Sequence, residues 1–302
     1  MKNFVHALRA LAVMACLPLA GCAGVPFGTS ATPYPRVVAE HHRGIVFDSV
    51  HALALDVYRP VQAAHAPVVV FFHGGSWMRG ERGRYRFVGR ALAAHGIVTV
   101  IPDYRKIPAA PFDAQMQDAA HAVAWAHAHA AEFGGDAGDL FVMGHSSGGH
   151  IAALLATDPR RLAREGLRPR DLAGFIGLAG VYVFLARDAA DPEMLAVFGH
   201  TPETQRNVEP VWFVHGAEPP MLLLQGVADT EVNSANSRAL EEAVGSMHEE
   251  ADLKLYPGVG HGGLLLAITW PLNVDTPVLN DILAFIRAHP HAIDANPSAD
   301  AP

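Results

Sequence analysis

The 302-residue sequence is poor in cysteine and in charge: it has 2 cysteines, and 17% of its residues are charged. Two cysteines cannot supply the several pairs that a disulfide scaffold needs. Half of the residues are hydrophobic, which excludes the composition of a disordered chain. The chain also lacks a basic block, and its net charge of −8 would repel a nucleic-acid backbone. Its length suits one large α/β domain or two small ones.

Motifs for cofactors and metals are missing as well. No P-loop and no Gly-x-Gly-x-x-Gly follows a predicted strand, and no His-Glu-x-x-His occurs. Histidines are frequent, with 18 in the chain, and three of them (His121, His127 and His129) lie on one alanine-rich predicted helix. His127 and His129 do not share a face of that helix. We therefore predict neither a bound metal nor a cofactor.

The N-terminus has no apolar run long enough to cross a bilayer. Ala10–Ala20 follows Lys2 and Arg9 and is far below the ~20 residues of a membrane span, which is typical of a signal peptide. The run ends in Leu-Ala-Gly-Cys at Cys22, which resembles the bacterial lipoprotein box, where cleavage precedes a lipidated cysteine. An ordinary secretory signal that happens to contain a cysteine is the alternative.

Cleavage before Cys22 would make residues 1–21 the signal and residues 22–36, rich in Gly, Pro, Ser and Thr, a flexible tether. The loss of Lys2 and Arg9 would change the net charge from −8 to −10. Cys16 would leave with the signal, so no intramolecular disulfide could form. Acyl chains on Cys22 would attach the protein to a membrane surface. By the same resemblance, Ala23 in place of Asp after the cysteine favours the outer membrane, facing the periplasm.

The sequence predicts one domain at residues 37–290. A tail rich in Pro, Ala and Asp follows at 291–302, and we expect it to be frayed. Short apolar runs predict strands, the first a half-buried edge strand and most of the others buried on both faces: 52–58, 67–72, 97–101, 140–143, 175–178, 221–224 and 253–257. Helices are predicted between them, at 85–95, 113–133, 148–157, 234–247 and 278–289. This alternation indicates a doubly wound α/β domain with a mostly parallel sheet flanked by helices.

The strongest motif is Gly-x-Ser-x-Gly, centred on Ser146 between an apolar strand and a small-residue helix. That is the context of a nucleophile elbow, in which the serine occupies a tight, strained turn. Ser147 cannot be the centre, because His145 stands two positions before it. We predict that Ser146 is a nucleophile.

A second motif, His-Gly-Gly-Ser-Trp, runs from His73 to Trp77 directly after a buried strand. A tetrahedral intermediate needs amide N–H groups aimed at its oxyanion, and glycines leave the backbone exposed enough to supply them. The backbone N–H groups of Gly75, Ser76 and Ser147 are our candidates for that oxyanion hole. We expect His73 to organise this loop rather than to carry a proton.

A serine nucleophile needs a base and an orienting carboxylate, which follow it in the order acid, then histidine, in hydrolases of this kind. Asp229 stands after the strand at 221–224, and His261 follows the last strand. We predict Asp229 as the acid and His261 as the base. Glu231 is the rival acid, although its place near the next helix suits a charge in the first helical turn.

The stretch from 181 to 220 interrupts the alternation with scattered prolines and aromatics, so we expect a cap-like insertion over one end of the sheet. Trp77, Trp212 and Phe213 are aromatic candidates for lining a substrate pocket. Trp212 and Phe213 could equally serve to bury the insertion against the sheet.

With these motifs in place, the chain resembles the α/β-hydrolase superfamily. Within it, the chain is similar to the esterase branch of hormone-sensitive-lipase-like carboxylesterases, feruloyl-esterase-like enzymes and kynurenine formamidases. The likeness extends from about Leu55 to His289, and these segments carry it: 55–60, 73–77, 103–105, 144–149, Asp229 and His261. Hormone-sensitive-lipase-like members usually carry a third glycine where Ser76 stands.

The resemblance implies a serine hydrolase with a small-molecule substrate, no cofactor and no nucleic-acid partner. The leading expectation is a carboxylesterase for small or medium acyl groups. The alternatives are an amide hydrolase, such as a formamidase or peptidase, on the same residues, and a lipoprotein that keeps the fold as a binding module. The sequence does not give the oligomeric state.

Overall fold

The computed structural model describes residues 39–184, 191–199, 201–269 and 276–290. The predicted signal peptide, Cys22, the tether and the C-terminal tail lie outside the described residues. The described strands are β1 (Ala39–Asp48), β2 (Leu53–Pro60), β3 (Ala66–Phe72), β4 (Val98–Pro102), β5 (Gly135–His145), β6 (Gly174–Leu178), β7 (Met221–Gly226) and β8 (Ala251–Tyr256). The described helices are α1 (Arg86–Ala93), α2 (Phe112–His129), α3 (Ser147–Thr157), α4 (Pro159–Ala163), α5 (Pro192–Phe198), α6 (Pro202–Arg206), α7 (Ala235–Ser246), α8 (His261–Leu266) and α9 (Val278–Ala288).

These strands form one sheet in the order β1-β2-β4-β3-β5-β6-β7-β8. The pairs β1·β2 and β2·β4 are antiparallel, and all later neighbours pair in parallel. The predicted fold class, a mostly parallel sheet flanked by helices, is therefore confirmed. Among the described helices, none is long and apolar enough to cross a bilayer.

The sheet has a hydrophobic core on each face, because successive side chains of a strand point in opposite directions. Val68 and Val70 of β3 belong to one core with residues of α2, α3 and α7. Val69 and Phe71 belong to the other with residues of α1, α8 and α9. Burial on both faces explains why the central strands are continuous apolar runs without alternation.

One strand position was predicted wrongly. The segment predicted as an edge strand at 52–58 is β2, which lies inside the sheet between β1 and β4. The edge strand on that side of the sheet, β1, was not predicted because its sequence is mostly polar and half-exposed. A register shift between His42 and Ile45, where Gly44 has a φ of 65°, further disrupts its alternation.

The insertion at 181–220 leaves the sheet between β6 and β7, and its described part contains α5, α6 and a 3₁₀ turn at Pro210–Phe213. The ring of Phe198 on α5 is 4.8 Å from that of Trp77 and 5.0 Å from that of Phe112. The insertion is therefore packed against the loop after β3 and the start of α2.

Candidate active site

The predicted catalytic and oxyanion-hole residues follow parallel strands. The loop 73–77 follows β3, Ser146 follows β5, Asp229 follows β7 and His261 comes after β8. The carboxyl ends of parallel strands meet at one edge of a sheet, where open α/β sheets bind their ligands. Four segments that are distant in sequence are thereby placed at the same edge.

Ser146 occupies the turn between β5 and α3, with φ 56° and ψ −126°. This conformation is unusual for a residue with a side chain and is a common source of strain at functional sites. Two glycines make the turn possible. A Cβ at Gly144 would lie 2.2 Å from the oxygen of Gly148, and one at Gly148 would lie 2.1 Å from the oxygen of Phe72. The turn therefore requires glycine at both places.

Asp229 and His261 form a buried hydrogen bond, with 2.8 Å between Asp229 Oδ2 and His261 Nδ1. Asp229 Oδ1 accepts from the backbone N–H groups of Glu231 and Val232, at 2.9 Å each, and Gln225 Nε2 donates to Oδ2 at 3.1 Å. Burial raises the pKa of Asp229, but the bond to His261 and the backbone N–H groups outweigh it and lower the pKa. The carboxylate therefore stays ionised and orients the imidazole.

The rival acid, Glu231, lies on the other side of the imidazole. Its Oε2 is 3.7 Å from His261 Nε2, and its side chain is 49% exposed, whereas that of Asp229 is fully buried. The geometry gives the orienting position at Nδ1 to Asp229. His261 itself was expected on a loop, but it is the first residue of the short helix α8.

Ser146 Oγ and His261 Nε2 are not joined by a hydrogen bond among those of the described residues. Contacts of this kind are often long in a site without substrate and shorten in the reacting complex. Ser146 and the Asp229–His261 pair thus lie at the same edge of the sheet without a direct hydrogen bond between them.

The loop after β3 approaches the Ser146 turn closely. A Cβ at Gly74 would be 3.2 Å from that of Ser146, and one at Gly75, which has a φ of 138°, would be 2.2 Å from the oxygen of Arg79. Ser76 and Trp77 have left-handed φ values of 51° and 60°. Both residues thus adopt a conformation that glycine favours.

His73 is fully buried between two tyrosine rings, stacked on Tyr104 at 4.6 Å and on Tyr85 at 5.4 Å. Its Nδ1 lies 2.9 Å from the oxygen of Gly74, and Tyr104 donates to its backbone oxygen at 2.6 Å. Burial lowers the pKa of His73 to about 4. The ring is thus neutral, buried and bonded within the loop that follows β3, which is consistent with the organising role expected for it.

A cavity of about 420 Å³ opens beside Ser146. Ser76, Trp77 and Ser147 line it, together with side chains from the insertion and from the loop after β7. Trp212 and Phe213 are not among its described lining residues. Trp212 is 57% exposed beneath the Arg206 guanidinium, and Phe213 packs under Arg160.

Two buried histidines at the turn around Ser146 were not predicted from the sequence. His145 precedes Ser146, and its Nε2 lies 3.1 Å from the backbone oxygen of His261. His150 lies on α3, one turn after Ser146, and is fully buried. Their adjacency to the Gly-x-Ser-x-Gly motif was the only available signal, and it does not distinguish a structural from a functional histidine.

One group of potential metal ligands occurs among the described residues, formed by Asp48, His51 and Asp118, whose ligand atoms lie within 4.8 Å of one another. Asp118 is already bound by the Arg105 guanidinium, at 2.6 Å, and Asp48 accepts from the backbone N–H groups of Val50 and His51. These contacts account for the cluster without an ion.

The sequence matches one protein family and several curated proteins. A family model described as BD-FAE matches residues 55–244. Esterase LipC of Mycobacterium tuberculosis is 30% identical over 75% of this chain and 60% of the relative. Isoprenylcysteine alpha-carbonyl methylesterase ICME of Arabidopsis thaliana is 28% identical over 82% and 62%. The chain thus spans about three fifths of the length of the curated relatives it matches.

Solved structures match the fold. Esterase B from Lactobacillus Rhamnosis superposes with a TM-score of 0.70 at 22% identity, covering 83% of this chain and 87% of the other. A truncated carbohydrate esterase from gut microbiota superposes with a TM-score of 0.71 at 21% identity, covering 85% and 99%. These likenesses establish the α/β-hydrolase fold.

Proposed function

The chain belongs to the BD-FAE family of the α/β-hydrolase fold, and on that premise we propose that it hydrolyses carboxylic esters of small or medium acyl groups. The observation that carries the proposal is the buried 2.8 Å bond between Asp229 and His261 at the sheet edge where Ser146 occupies its strained turn. The matched relatives are named as esterases, which supports ester hydrolysis as the reaction. The cavity of about 420 Å³ beside Ser146 suits a small ligand.

The proposed mechanism is acyl transfer in two steps. His261, oriented by Asp229, accepts the Ser146 proton at Nε2 while Oγ attacks the ester carbonyl carbon. The backbone N–H groups of Gly75, Ser76 and Ser147 stabilise the oxyanion of the tetrahedral intermediate. His261 then gives its proton to the leaving alcohol. In the second step His261 deprotonates water, which attacks the acyl-enzyme and releases the acid and the free Ser146.

The test is a substrate panel on the full chain. p-Nitrophenyl esters of increasing acyl length are compared with N-formylkynurenine and with proline-terminated peptides. We expect the highest kcat/KM on a short or medium ester, and loss of turnover by about 10⁶ in Ser146→Ala. Higher kcat/KM on the amides would instead identify an amide hydrolase on the same residues.

A fluorophosphonate probe separates catalysis from a binding role. The probe should label the folded wild-type protein covalently and leave Ser146→Ala unlabelled. No labelling of either protein would favour a binding module that retains the hydrolase fold, and equal labelling of both would show that Ser146 is not the reactive nucleophile.

We further propose that Cys22 is lipidated and that the protein is exported and held at a bacterial membrane, the outer membrane facing the periplasm. The support is the sequence Leu-Ala-Gly-Cys after a short apolar run. Wild type should sediment with membranes after expression in a Gram-negative host, whereas Cys22→Ser should not. Equal partition of the two proteins would contradict the anchor.

A further inference from the structure

His150 is a buried polar side chain that the proposed mechanism does not use, and both of its ring nitrogens are bonded. Trp77 Nε1 donates to Nδ1 at 3.0 Å, and Nε2 lies 2.6 Å from the backbone oxygen of Val208. An indole N–H can only donate and a carbonyl can only accept. The ring is therefore held as the neutral tautomer with its proton on Nε2.

The two bonds join segments that are far apart in sequence. Trp77 ends the loop whose Gly75 and Ser76 amides we propose for the oxyanion hole, and Val208 lies in the insertion, between α6 and the 3₁₀ turn. His150 itself is fixed to the nucleophile turn, because its backbone N–H donates to the oxygen of Ser146 at 3.1 Å. His150 thus joins three segments: its imidazole bonds to Trp77 and to Val208 of the insertion, and its backbone N–H bonds to Ser146.

The loop needs such support because of its backbone. Ser76 and Trp77 both have left-handed φ values, which residues with side chains adopt only when surrounding contacts hold them. The backbone oxygen of Trp77 accepts from Gln115 Nε2 at 2.5 Å and from Ile107 N–H at 3.2 Å. His150 binds the other end of the residue, at the indole nitrogen, so Trp77 is fixed at both ends.

The surroundings of His150 keep it in place and uncharged. Its ring is stacked on Phe112 at 5.3 Å and lies edge-on to Trp77 and Phe198, each at 5.4 Å. Burial lowers the pKa of His150 to about 4, so the ring remains neutral and Nδ1 remains an acceptor at neutral pH.

We propose that His150 is a positioning residue: through Trp77 it sets where the amide of Ser76 stands relative to Ser146. This rests on the proposed esterase function. Because the oxyanion forms only during reaction, a displaced amide weakens transition-state binding more than substrate binding, so kcat should fall with little change in KM.

The test measures kcat and KM on a p-nitrophenyl ester for His150→Phe, Trp77→Phe and the double variant. Each single variant should lower kcat by about 10- to 100-fold, since a small displacement has effects of this size. KM of His150→Phe, whose side chain does not line the cavity, should change less than about threefold. The double variant should be no slower than the slower single one, because both remove the same link. Additive losses, or losses confined to KM, would overturn the proposal.

If His150→Phe does not fold, two more conservative variants test whether His150 acts through its bond to Trp77. His150→Asn offers an acceptor near the position of Nδ1, whereas His150→Gln offers a donor near that of Nε2. Asn should retain more of kcat than Gln; equal loss in both would assign His150 a merely structural role. His65→Asn, at a side chain that is 92% exposed, is the matched control and should match wild type. If wild type turned over the ester no faster than Ser146→Ala, the esterase function itself would be overturned. If wild type were active and the His150 variants equally so, only the role of His150 would be overturned.

Discussion

His145 Nε2 lies 3.1 Å from the backbone oxygen of His261, so the residue before the proposed nucleophile contacts the proposed base. The two rings are also neighbours, with centroids 4.6 Å apart. Because a carbonyl only accepts, Nε2 of His145 carries the proton and donates it. The contact joins the turn after β5 to the start of α8.

This contact predicts a difference between two substitutions of His145. His145→Leu removes the donor and should lower kcat by roughly tenfold by loosening the backbone at His261. His145→Gln keeps an N–H near the same place and should retain more of the activity. Steady-state kinetics on a p-nitrophenyl ester measure both, and equal values would show that the hydrogen bond has no part in placing His261.

The two acidic residues near His261 should differ in their effects. Asp229→Asn replaces the carboxylate at Nδ1 and should lower kcat by about 10⁴, since the wrong tautomer of the base is then favoured. Glu231→Gln changes a half-exposed side chain 3.7 Å from Nε2 and should cost less than about tenfold. Parallel kinetics of the two variants provide the measurement. The reverse order would make Glu231 the acid.

The fold should begin to lose stability at pH values well above those at which carboxylates titrate. Burial lowers the pKa of His73 and of His150 to about 4, and that of His145 to about 3, from 6.5. Below pH 6.5 the unfolded chain therefore takes up protons that the native state does not, so the free energy of unfolding falls as pH falls toward 4. Each such proton contributes about 1.4 kcal/mol per pH unit.

Urea unfolding at pH 7.5, 6.5 and 5.5 measures this slope. His150→Phe should reduce it by about one proton over the acidic part of the range. His65→Asn replaces a histidine that is almost fully exposed and should leave it unchanged. A stability that does not vary over this range would contradict the prediction.

Two glycine-to-alanine changes should have opposite effects on stability. Gly148→Ala forces a Cβ to within 2.1 Å of the Phe72 oxygen and should destabilise the fold by about 1–3 kcal/mol or more. Gly245→Ala, on α7 with nothing within 4 Å of the new Cβ, should stabilise it by about 0.5–1 kcal/mol through the lower entropy of the unfolded chain. Thermal unfolding checks both, and a tolerated Gly148→Ala would refute the tight turn.

The sequence was most informative where burial is complete. The runs that became β3, β5 and β7 were recognisable because strands covered on both faces need apolar side chains at every position. Chain order then sufficed to place Asp229 and His261 after neighbouring parallel strands, and the structure brings them to 2.8 Å.

Prediction failed where the signal was short or polar. β1 is half-exposed, and α4 and α8 have 5 and 6 residues, too few for a helical period to register. His150 and Trp77 are 73 residues apart, so their hydrogen bond cannot be predicted from the local sequence pattern around either residue. Whether Trp212 would face the cavity or solvent depended on the path of the insertion, which periodicity does not encode.

Ser146 and His261 follow strands that differ in how many neighbouring strands they are hydrogen-bonded to. Ser146 follows β5, which is hydrogen-bonded to β3 on one side and β6 on the other, whereas the His261 segment follows β8, bonded on one side to β7 and last in the described order. Amide hydrogens of β8 should therefore exchange with solvent sooner than those of β5, through local opening of the sheet margin. Gentle heating should then separate His261 from Ser146 while most of the molecule is still folded, so that inactivation precedes melting and reverses on cooling.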